Sequence, residues 1–360
     1  MVNNMSIKTL PGVTAETITS ERITTRVLFS GPEEGIPVLF LHGNLSSATW
    51  WEEVLVTLPD GFRGIAPDQR GFGDAEFSKK IDGTRGMADL ADDALALLDT
   101  LGYDKAHFVG NSLGGSVLWW VLKDSPARVV TATLVAPGSP YGFGGTRDIE
   151  GTPCYDDFAG CGAGIASNPD VVRLVSEGYR GSENPKGIRM ALRTLVYRPP
   201  FLPEREEDLL TSALSIHVGE QDWPGDFVPS PNWPHFAPGQ WGAANALSSK
   251  YAFDPEDLDL MEPKPDILWI RGEEDKAVAD GAASDPAVLG ALGLIPNYPG
   301  PEVYPPQPMI AQTRAVLDKY THAGGSFKEV VIAETGHVPF IENLDAFNDI
   351  FHNQILKVER

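Results

Sequence analysis

The feature that most constrains the fold is a glycine-rich turn around Ser112. Residues 110–115 read GNSLGG; they follow a short apolar run at 107–110 and open a largely apolar stretch at 112–122. A strand that turns directly into a helix crowds the backbone, which favours positions without a side chain two residues before and two residues after Ser112. The sequence therefore predicts a strained strand-to-helix turn that lifts the Ser112 hydroxyl clear of a sheet and places it at a helix N-terminus.

Short apolar runs alternate with amphipathic stretches between residues 22 and 135. A helical pattern at 89–101 spaces its apolar residues three and four apart, and Gly102 is suited to end that helix. Strands that alternate with helices favour a mostly parallel sheet covered on both faces, which is the α/β class. The strand-like runs lie at 38–41, 64–66, 107–110 and 129–135.

This alternation stops in the middle of the chain. Residues 137–265 are rich in Pro, Gly and Trp, with scattered helical patches at 169–177 and 186–196. A structureless loop of this size is improbable inside a compact domain. We therefore expect an inserted lid subdomain with its own packing.

The alternating pattern returns after residue 265, and a second irregular insert occupies residues 280–307. The sequence thus predicts three parts: a first core segment at 1–136, the lid at 137–265 and a second core segment at 266–360. The expected elements of the last part are a strand at 266–270, a helix at 309–322, a strand at 327–333 and a helix at 344–356.

A serine in such a turn needs a general base, and His337 is the best candidate. It follows the last predicted strand in a loop, whereas the other histidines lie in a strand, in the lid, in helices or beside residue 43. Imidazole has the pKa that suits proton transfer near neutral pH.

The third member should be a carboxylate that orients His337. The loop after the strand at 266–270 contains Asp275, which we select, and Glu273 and Glu274 compete with it because all three are close together. The preceding strand ends in the sequence APG at 136–138, which offers no carboxylate.

The loop after the first predicted parallel strand reads LHGN at residues 41–44. A loop in this place can supply one backbone N–H to an oxyanion hole, and the residue after the nucleophile supplies the other. We assign these roles to Asn44 and Leu113, with Leu45 as the alternative to Asn44. For His42 we favour a structural role that braces the loop.

Aromatic side chains in irregular segments are stabilised when they pack against another apolar surface. The lid tryptophans are therefore candidates for the wall of an apolar pocket. The predicted pocket residues are Trp223, Trp233 and Trp241, together with Phe236, although internal packing of the lid competes with ligand contact. Trp119 and Trp120 in the predicted helix after Ser112 are expected to pack against the sheet.

Charge and hydropathy restrict the partners. The formal net charge is −22, and such a negative field disfavours nucleic acid and anionic membrane surfaces as partners. No apolar run approaches the roughly 18 residues of a membrane span, and the first ten residues contain no apolar signal segment. A cytoplasmic location is the default expectation, and the oligomeric state stays open.

The two cysteines, Cys154 and Cys161, lie close together in a Gly-rich stretch. Two free thiols in a reducing compartment and a local disulfide in an oxidising one both fit this spacing. No phosphate-binding loop, dinucleotide fingerprint or His-rich cluster is present in the sequence, so no cofactor or metal is expected.

Taken in order, these motifs resemble the α/β-hydrolase superfamily over residues 22–136 and 266–357. The stretches FLHGN at 40–44 and APDQRGFG at 66–73 look most like the branch of haloalkane dehalogenases, epoxide hydrolases and carbon–carbon bond hydrolases. Dehalogenases and epoxide hydrolases carry Asp in the turn where this chain has Ser112, so an alkyl-enzyme ester route is excluded. Dehalogenases also tend to have Trp where this chain has Leu113.

The resemblance implies an α/β-hydrolase fold with a large lid and hydrolysis of an ester or lactone of a moderately hydrophobic small molecule through an acyl-enzyme, without a cofactor. The turn at Ser112 also resembles that of meta-cleavage-product hydrolases, which split a carbon–carbon bond but usually carry Trp where this chain has Val338. A small-molecule receptor with slow or vestigial turnover is the alternative from another class.

Overall fold

The computed structural model describes residues 7–162 and 168–357. Its main sheet has eight strands, and two short strand pairs lie outside it. The strands are β1 (Thr14–Thr19), β2 (Thr24–Ser30), β3 (Ile36–Leu41), β4 (Phe62–Pro67), β5 (Ala106–Asn111), β6 (Val129–Val135), β7 (Val218–Gly219), β8 (Trp223–Pro224), β9 (Phe227–Pro229), β10 (Phe236–Pro238), β11 (Asp266–Gly272) and β12 (Phe327–Ile332).

Helices of very different length connect and flank these strands. No helix in the described ranges is both long and apolar enough to cross a membrane. The helices are α1 (Glu52–Leu55), α2 (Ala88–Thr100), α3 (Leu113–Asp124), α4 (Pro169–Ser176), α5 (Ile188–Ala191), α6 (Glu206–Ala213), α7 (Ala243–Ala246), α8 (Asp257–Leu260), α9 (Pro286–Ala291), α10 (Met309–His322), α11 (Pro339–Glu342) and α12 (Leu344–Ile355).

The sheet is mostly parallel, as the alternating pattern predicts. Its order is β1-β2-β4-β3-β5-β6-β11-β12, with β1 and β2 antiparallel to their neighbours and every other pair parallel. The carboxyl ends of β3, β5, β6, β11 and β12 therefore lie at one edge. The loops that follow these strands meet there, which is the usual position of sites in parallel sheets.

The central strands are buried because helices pack along them. All six residues of β5 are buried, and α3 packs against β3, β5 and β6. The helix α12 packs against β6 and α1. Strands covered in this way need continuous apolar sequence, which explains the short Val-, Leu- and Phe-rich runs.

The lid packs against the main core, and its status as a separate subdomain stays a prediction. No described residue between 136 and 265 joins the main sheet, but the buried lid residues Val171, Leu192 and Leu209 belong to the same apolar cluster as Phe40 and Trp269 of the sheet. The lid helices are short, with four to eight residues in α4, α5 and α6. Helices of this length cannot form a closed core among themselves, so their apolar faces are buried against the main core.

The second insert, residues 280–307, packs against the lid. A small buried cluster joins Tyr304 and Ala287 of this insert to Trp233 and Cys154 of the lid. Trp233 Nε1 donates a hydrogen bond to the carbonyl oxygen of Pro296 at 2.9 Å. The two irregular segments therefore support each other.

Cys154 and Cys161 are both buried free thiols, so the structure contains no disulfide between them. Burial raises the pKa of Cys154 to about 11, and burial also raises the pKa of Cys161 above its usual value. A thiol reacts with electrophiles as the thiolate, so both groups are expected to be inert in the folded protein.

We predict that iodoacetamide at pH 8 modifies neither cysteine in the folded protein and modifies both after denaturation without a reductant. The reason is that unfolding removes the burial that raises both pKa values. Intact-mass spectrometry counts the added groups. Failure to modify the denatured, unreduced chain would contradict two free thiols and indicate a disulfide.

Candidate active site

The predicted turn between β5 and α3 is present, and Ser112 lies at its apex. Ser112 has φ 53° and ψ −115°, a strained conformation for a residue with a side chain. A Cβ atom at Gly110 would collide with the carbonyl oxygen of Gly114, and one at Gly114 would collide with the carbonyl oxygen of Leu41. These contacts explain why the sequence has glycine on both sides of Ser112.

The backbone of Ser112 is held from two sides. Its N–H donates to the carbonyl oxygen of Val135 at 3.0 Å, and its own carbonyl oxygen accepts from Ser116 N–H at 3.0 Å. Ser112 is partly exposed, whereas its neighbours Asn111 and Leu113 are buried. The turn thus presents the serine at the surface of an otherwise buried segment.

Asp275 and His337 are in direct contact. His337 Nδ1 donates to Asp275 Oδ2 at 2.9 Å, and the two side chains are 7% and 5% exposed. The other carboxylate oxygen, Oδ1, accepts from the backbone N–H groups of Ala277 and Val278. Since Asp275 occupies Nδ1, His337 is held in the tautomer that leaves Nε2 free to accept a proton.

The two competing carboxylates of the same loop are directed elsewhere. Glu274 accepts from Arg198 Nε at 2.6 Å, and Glu273 lies within 3.4 Å of the backbone N–H of Glu334. Within the described residues, Asp275 is the carboxylate that contacts the imidazole.

Asn111 is a site residue that the sequence reasoning missed. Its Nδ2 donates to the carbonyl oxygen of His337 at 3.3 Å and to that of Val135 at 3.1 Å. The residue next to the serine thereby fixes the backbone of the histidine. A polar residue at the end of a wholly buried strand was the available signal, because such a side chain needs hydrogen-bond partners.

The loop after β3 lies against the serine. A Cβ atom added to Gly43 would be 3.2 Å from Ser112 Cβ. The backbone N–H groups of Asn44 and Leu113 have no acceptor among the described residues, whereas Leu45 N–H donates to Asn44 Oδ1 at 3.0 Å. This arrangement favours Asn44 over Leu45 as an oxyanion donor beside Leu113.

His42 braces this loop with both ring nitrogens. Nδ1 lies 2.8 Å from the carbonyl oxygen of Gly43, and Nε2 accepts from the backbone N–H of Gln69 at 3.0 Å. Nδ1 therefore carries the proton and donates it. Burial lowers the pKa of His42 to about 4, so the ring is neutral near pH 7.

The predicted pocket tryptophans make packing contacts with other parts of the protein. Trp233 lies between the lid and the second insert, and Trp223 is 2% exposed within the main apolar cluster. Trp241 is half-buried and pairs through its backbone with Asp82. Phe236 packs edge-on against Phe227. That these residues contact a substrate stays a prediction. None of the packing contacts just described supports it.

The two tryptophans of α3 differ from each other. Trp119 is 1% exposed and donates through Nε1 to the carbonyl oxygen of Gly138. Trp120 packs edge-on against Phe253 of the lid, with ring centroids 5.7 Å apart. Trp120 also packs against the main apolar cluster, so the lid contact adds to the expected packing in the core.

Comparisons with known proteins show which proteins the chain resembles. Residues 36–150 match the α/β hydrolase fold family. A protein of Bacillus subtilis strain 168 named as an uncharacterized carboxylesterase is 34% identical over 147 residues, which are 41% of this chain and 45% of that protein. The chain thus spans about half the length of the curated relatives it matches.

Solved structures resemble the chain over almost its whole length. Carboxylesterase CesB from Bacillus subtilis aligns with a TM-score of 0.57 and 17% identity over 95% of this chain and 91% of that chain. The 2-hydroxy-6-oxo-6-phenylhexa-2,4-dienoate hydrolase from Rhodococcus sp. strain RHA1 aligns with a TM-score of 0.59 and 17% identity over 95% and 98%. These structures show that the chain has the α/β-hydrolase fold, as the resemblance implies.

The lowered pKa of the buried His42 allows a test of the structure of the loop after β3. The unfolded chain protonates histidine near pH 6.5 and the folded protein protonates His42 only near 4, so the unfolded state binds more protons between these values. We expect the free energy of unfolding to be independent of this residue above pH 6.5. Between pH 6.5 and 4 it should decrease, by up to about 3 kcal/mol.

Urea unfolding of wild type and of His42→Asn across this pH range measures the effect. The variant should be less stable throughout but should show a shallower decrease with falling pH. The same substitution at the exposed His322 is the matched control for loss of an imidazole. Identical slopes in wild type and His42→Asn would contradict the prediction.

Proposed function

We propose that this protein is a serine hydrolase that cleaves a carboxylic ester or lactone of a moderately hydrophobic small molecule through an acyl-enzyme. The observation that carries the proposal is the buried Asp275–His337 hydrogen bond at the same sheet edge as the strained turn of Ser112. The similarity to proteins named as carboxylesterases supports a hydrolase.

Each residue has a defined task in this reaction. His337 Nε2 takes the proton from Ser112 Oγ as the oxygen attacks the acyl carbon. The His337 imidazolium then protonates the leaving alkoxide, and a water molecule repeats the sequence to release the acid. Asp275 fixes the tautomer and stabilises the charged imidazole while it carries the extra proton.

The negative charge that develops on the acyl oxygen also needs stabilisation. The backbone N–H groups of Asn44 and Leu113 are the donors we propose, since neither has an acceptor among the described residues. Leu113 is the first residue of α3, and the partial positive charge of a helix N-terminus favours an oxyanion at this position.

The residues around Asp275 support the proposal that the substrate carries an apolar group. Val278, whose N–H binds Asp275, lies in an apolar cluster with Ala282 and Met309, and Phe143 from the start of the lid packs against it. Apolar side chains next to a few convergent polar groups are typical of sites for small molecules.

We predict that Ser112→Ala lowers the turnover of p-nitrophenyl esters by at least about 10,000-fold, because no other group can form the acyl-enzyme. The matched control is Ser116→Ala, one helical turn further along α3, which should retain activity. A fluorophosphonate should label wild type and Ser116→Ala but not Ser112→Ala. Wild-type rates in Ser112→Ala would overturn the assignment.

Assays of the same proteins with other substrates distinguish the two alternative functions. Faster cleavage of a vinylogous diketone than of simple esters would favour the carbon–carbon hydrolase. The Rhodococcus neighbour is named as a hydrolase of a 2-hydroxy-6-oxo-dienoate. A single turnover with retained product would favour a receptor.

A second substitution tests the acid. Asp275→Asn keeps the shape of the side chain but presents an amide to Nδ1, which favours the wrong histidine tautomer, so we expect a loss in kcat of about 10,000-fold. Glu273→Gln is the matched control, because that carboxylate does not contact His337. Equal losses in the two variants would contradict the assignment of Asp275.

A further inference from the structure

The lid is attached to the loop that carries His337. The backbone N–H of His337 donates to the carbonyl oxygen of Val196 at 2.8 Å, and Val196 is the last residue of a π-helical turn in the lid. The base of the proposed reaction is thus bound directly to a segment that sequence analysis assigned to a different part of the protein.

Glu342 at the end of α11 connects the same two segments. Its Oε1 accepts from the backbone N–H of Gly336 at 2.9 Å, and its Oε2 accepts from the backbone N–H of Arg198 at 2.7 Å. Both oxygens of one carboxylate therefore hold backbone amides, one beside His337 and one in the lid. Hydrogen bonds from backbone N–H to a carboxylate are among the stronger ones in proteins.

The close packing at Gly336 shows that this junction is tight. A Cβ atom at Gly336 would lie 2.7 Å from the carbonyl oxygen of Val196, 2.9 Å from Arg198 N and 3.1 Å from Glu342 Oε1. The lid backbone therefore contacts the base loop directly, and a side chain at Gly336 would separate them.

The acid loop is tied to this junction as well. Arg198 Nε donates to Glu274 Oε1 at 2.6 Å, and Glu274 N–H donates to the carbonyl oxygen of Thr335 at 2.9 Å. Glu274 precedes Asp275 directly. The segments that carry the acid and the base are thus joined to each other and to the lid within a few residues.

We propose that Glu342 is a positioning residue for His337, which it holds in register with the lid by clamping Gly336 on one oxygen and Arg198 on the other. The proposal rests on the serine-hydrolase function. Without the clamp, the base loop retains the Val196 and Asp275 contacts but loses the fixation of the residue that precedes His337. A displacement of about 1 Å in a catalytic group can cost about 100-fold in rate.

The amide variant is a sharp test, because Glu342→Gln preserves size but exchanges one acceptor oxygen for an NH2 group. That NH2 group must face a backbone N–H whichever way the amide is turned, so one of the two hydrogen bonds is lost and two donors oppose each other. The matched control is Glu334→Gln. Glu334 lies in the same loop and is exposed, with a contact of 3.6 Å to Arg198.

The experiment measures kcat and KM for a p-nitrophenyl ester, with active sites titrated by a fluorophosphonate. We expect Glu342→Gln to lower kcat per titrated site by about 10- to 100-fold with KM nearly unchanged, and Glu334→Gln to match wild type. A purely structural role would reduce the number of titrated sites and leave kcat per site unchanged.

Amide hydrogen exchange provides a readout that is independent of hydrolysis. Peptides that contain residues 334–338 and 196–200 should exchange faster in Glu342→Gln than in Glu334→Gln. Unchanged kcat per site, or unchanged exchange in both peptides, would overturn the positioning role. Wild-type protein that neither hydrolyses esters nor reacts with the fluorophosphonate would instead overturn the proposed function, while the exchange result would still test the clamp.

Discussion

The parallel pairing of β5, β6, β11 and β12 is the constraint on which the site depends. Their registers place Asn111, Val135, Ile270 and Val330 side by side across the sheet. Ser112 follows this line directly, and Asp275 and His337 lie in the loops beyond it. Parallel strands end at the same edge, so residues more than 200 positions apart in the sequence become neighbours in the structure. A shift of one residue in any of these pairings would displace the loops that carry Ser112, Asp275 and His337 relative to one another.

Hydrogen bonds at this edge then fix the positions of the residues that the sheet brings close together. Asn111 binds the carbonyl oxygen of His337, Asp275 binds its ring, and Val196 binds its N–H. Backbone and side chain of one histidine are therefore held by three different segments. In the reaction that we propose, a base held in this way would not need to reorganise during proton transfer, which is the physical basis of preorganised catalysis. The same fixation explains why buried polar residues such as Asn111 are tolerated at the end of an apolar strand.

Much of the core could be predicted from the sequence, because each element has a strong local signal. The predicted bounds of β6 and α10 agree with the structure. Ser112, Asp275 and His337 were selected from their places after predicted strands, and the structure contains the turn at Ser112 and the Asp275–His337 contact. The first strand, β1, was missed because it is an exposed edge strand without an apolar run. The lid was predicted as an inserted segment, but its contacts with the rest of the protein were not predicted. Short helices and Trp-Pro sequences do not indicate which surface they cover, so the contact of Trp233 with the second insert and that of Trp120 with the lid were not predicted. Glu342 could not be found either, since its role depends on where residues 196–198 of the lid lie.

The attachment at Val196 and Arg198 also restricts how the lid can admit a substrate. On this side the lid backbone is bound to the loop of His337 itself, so opening here would displace the base. Elsewhere the lid contacts the segment around residues 81–86, Trp120 of α3 and the second insert. It also reaches the loop after β3, where Ser212 Oγ of α6 lies 2.6 Å from Ser47 Oγ. In the reaction that we propose, the part of the lid bound to Glu342 holds the loop of His337, so the geometry of the Asp275–His337 pair depends on the packing of the lid.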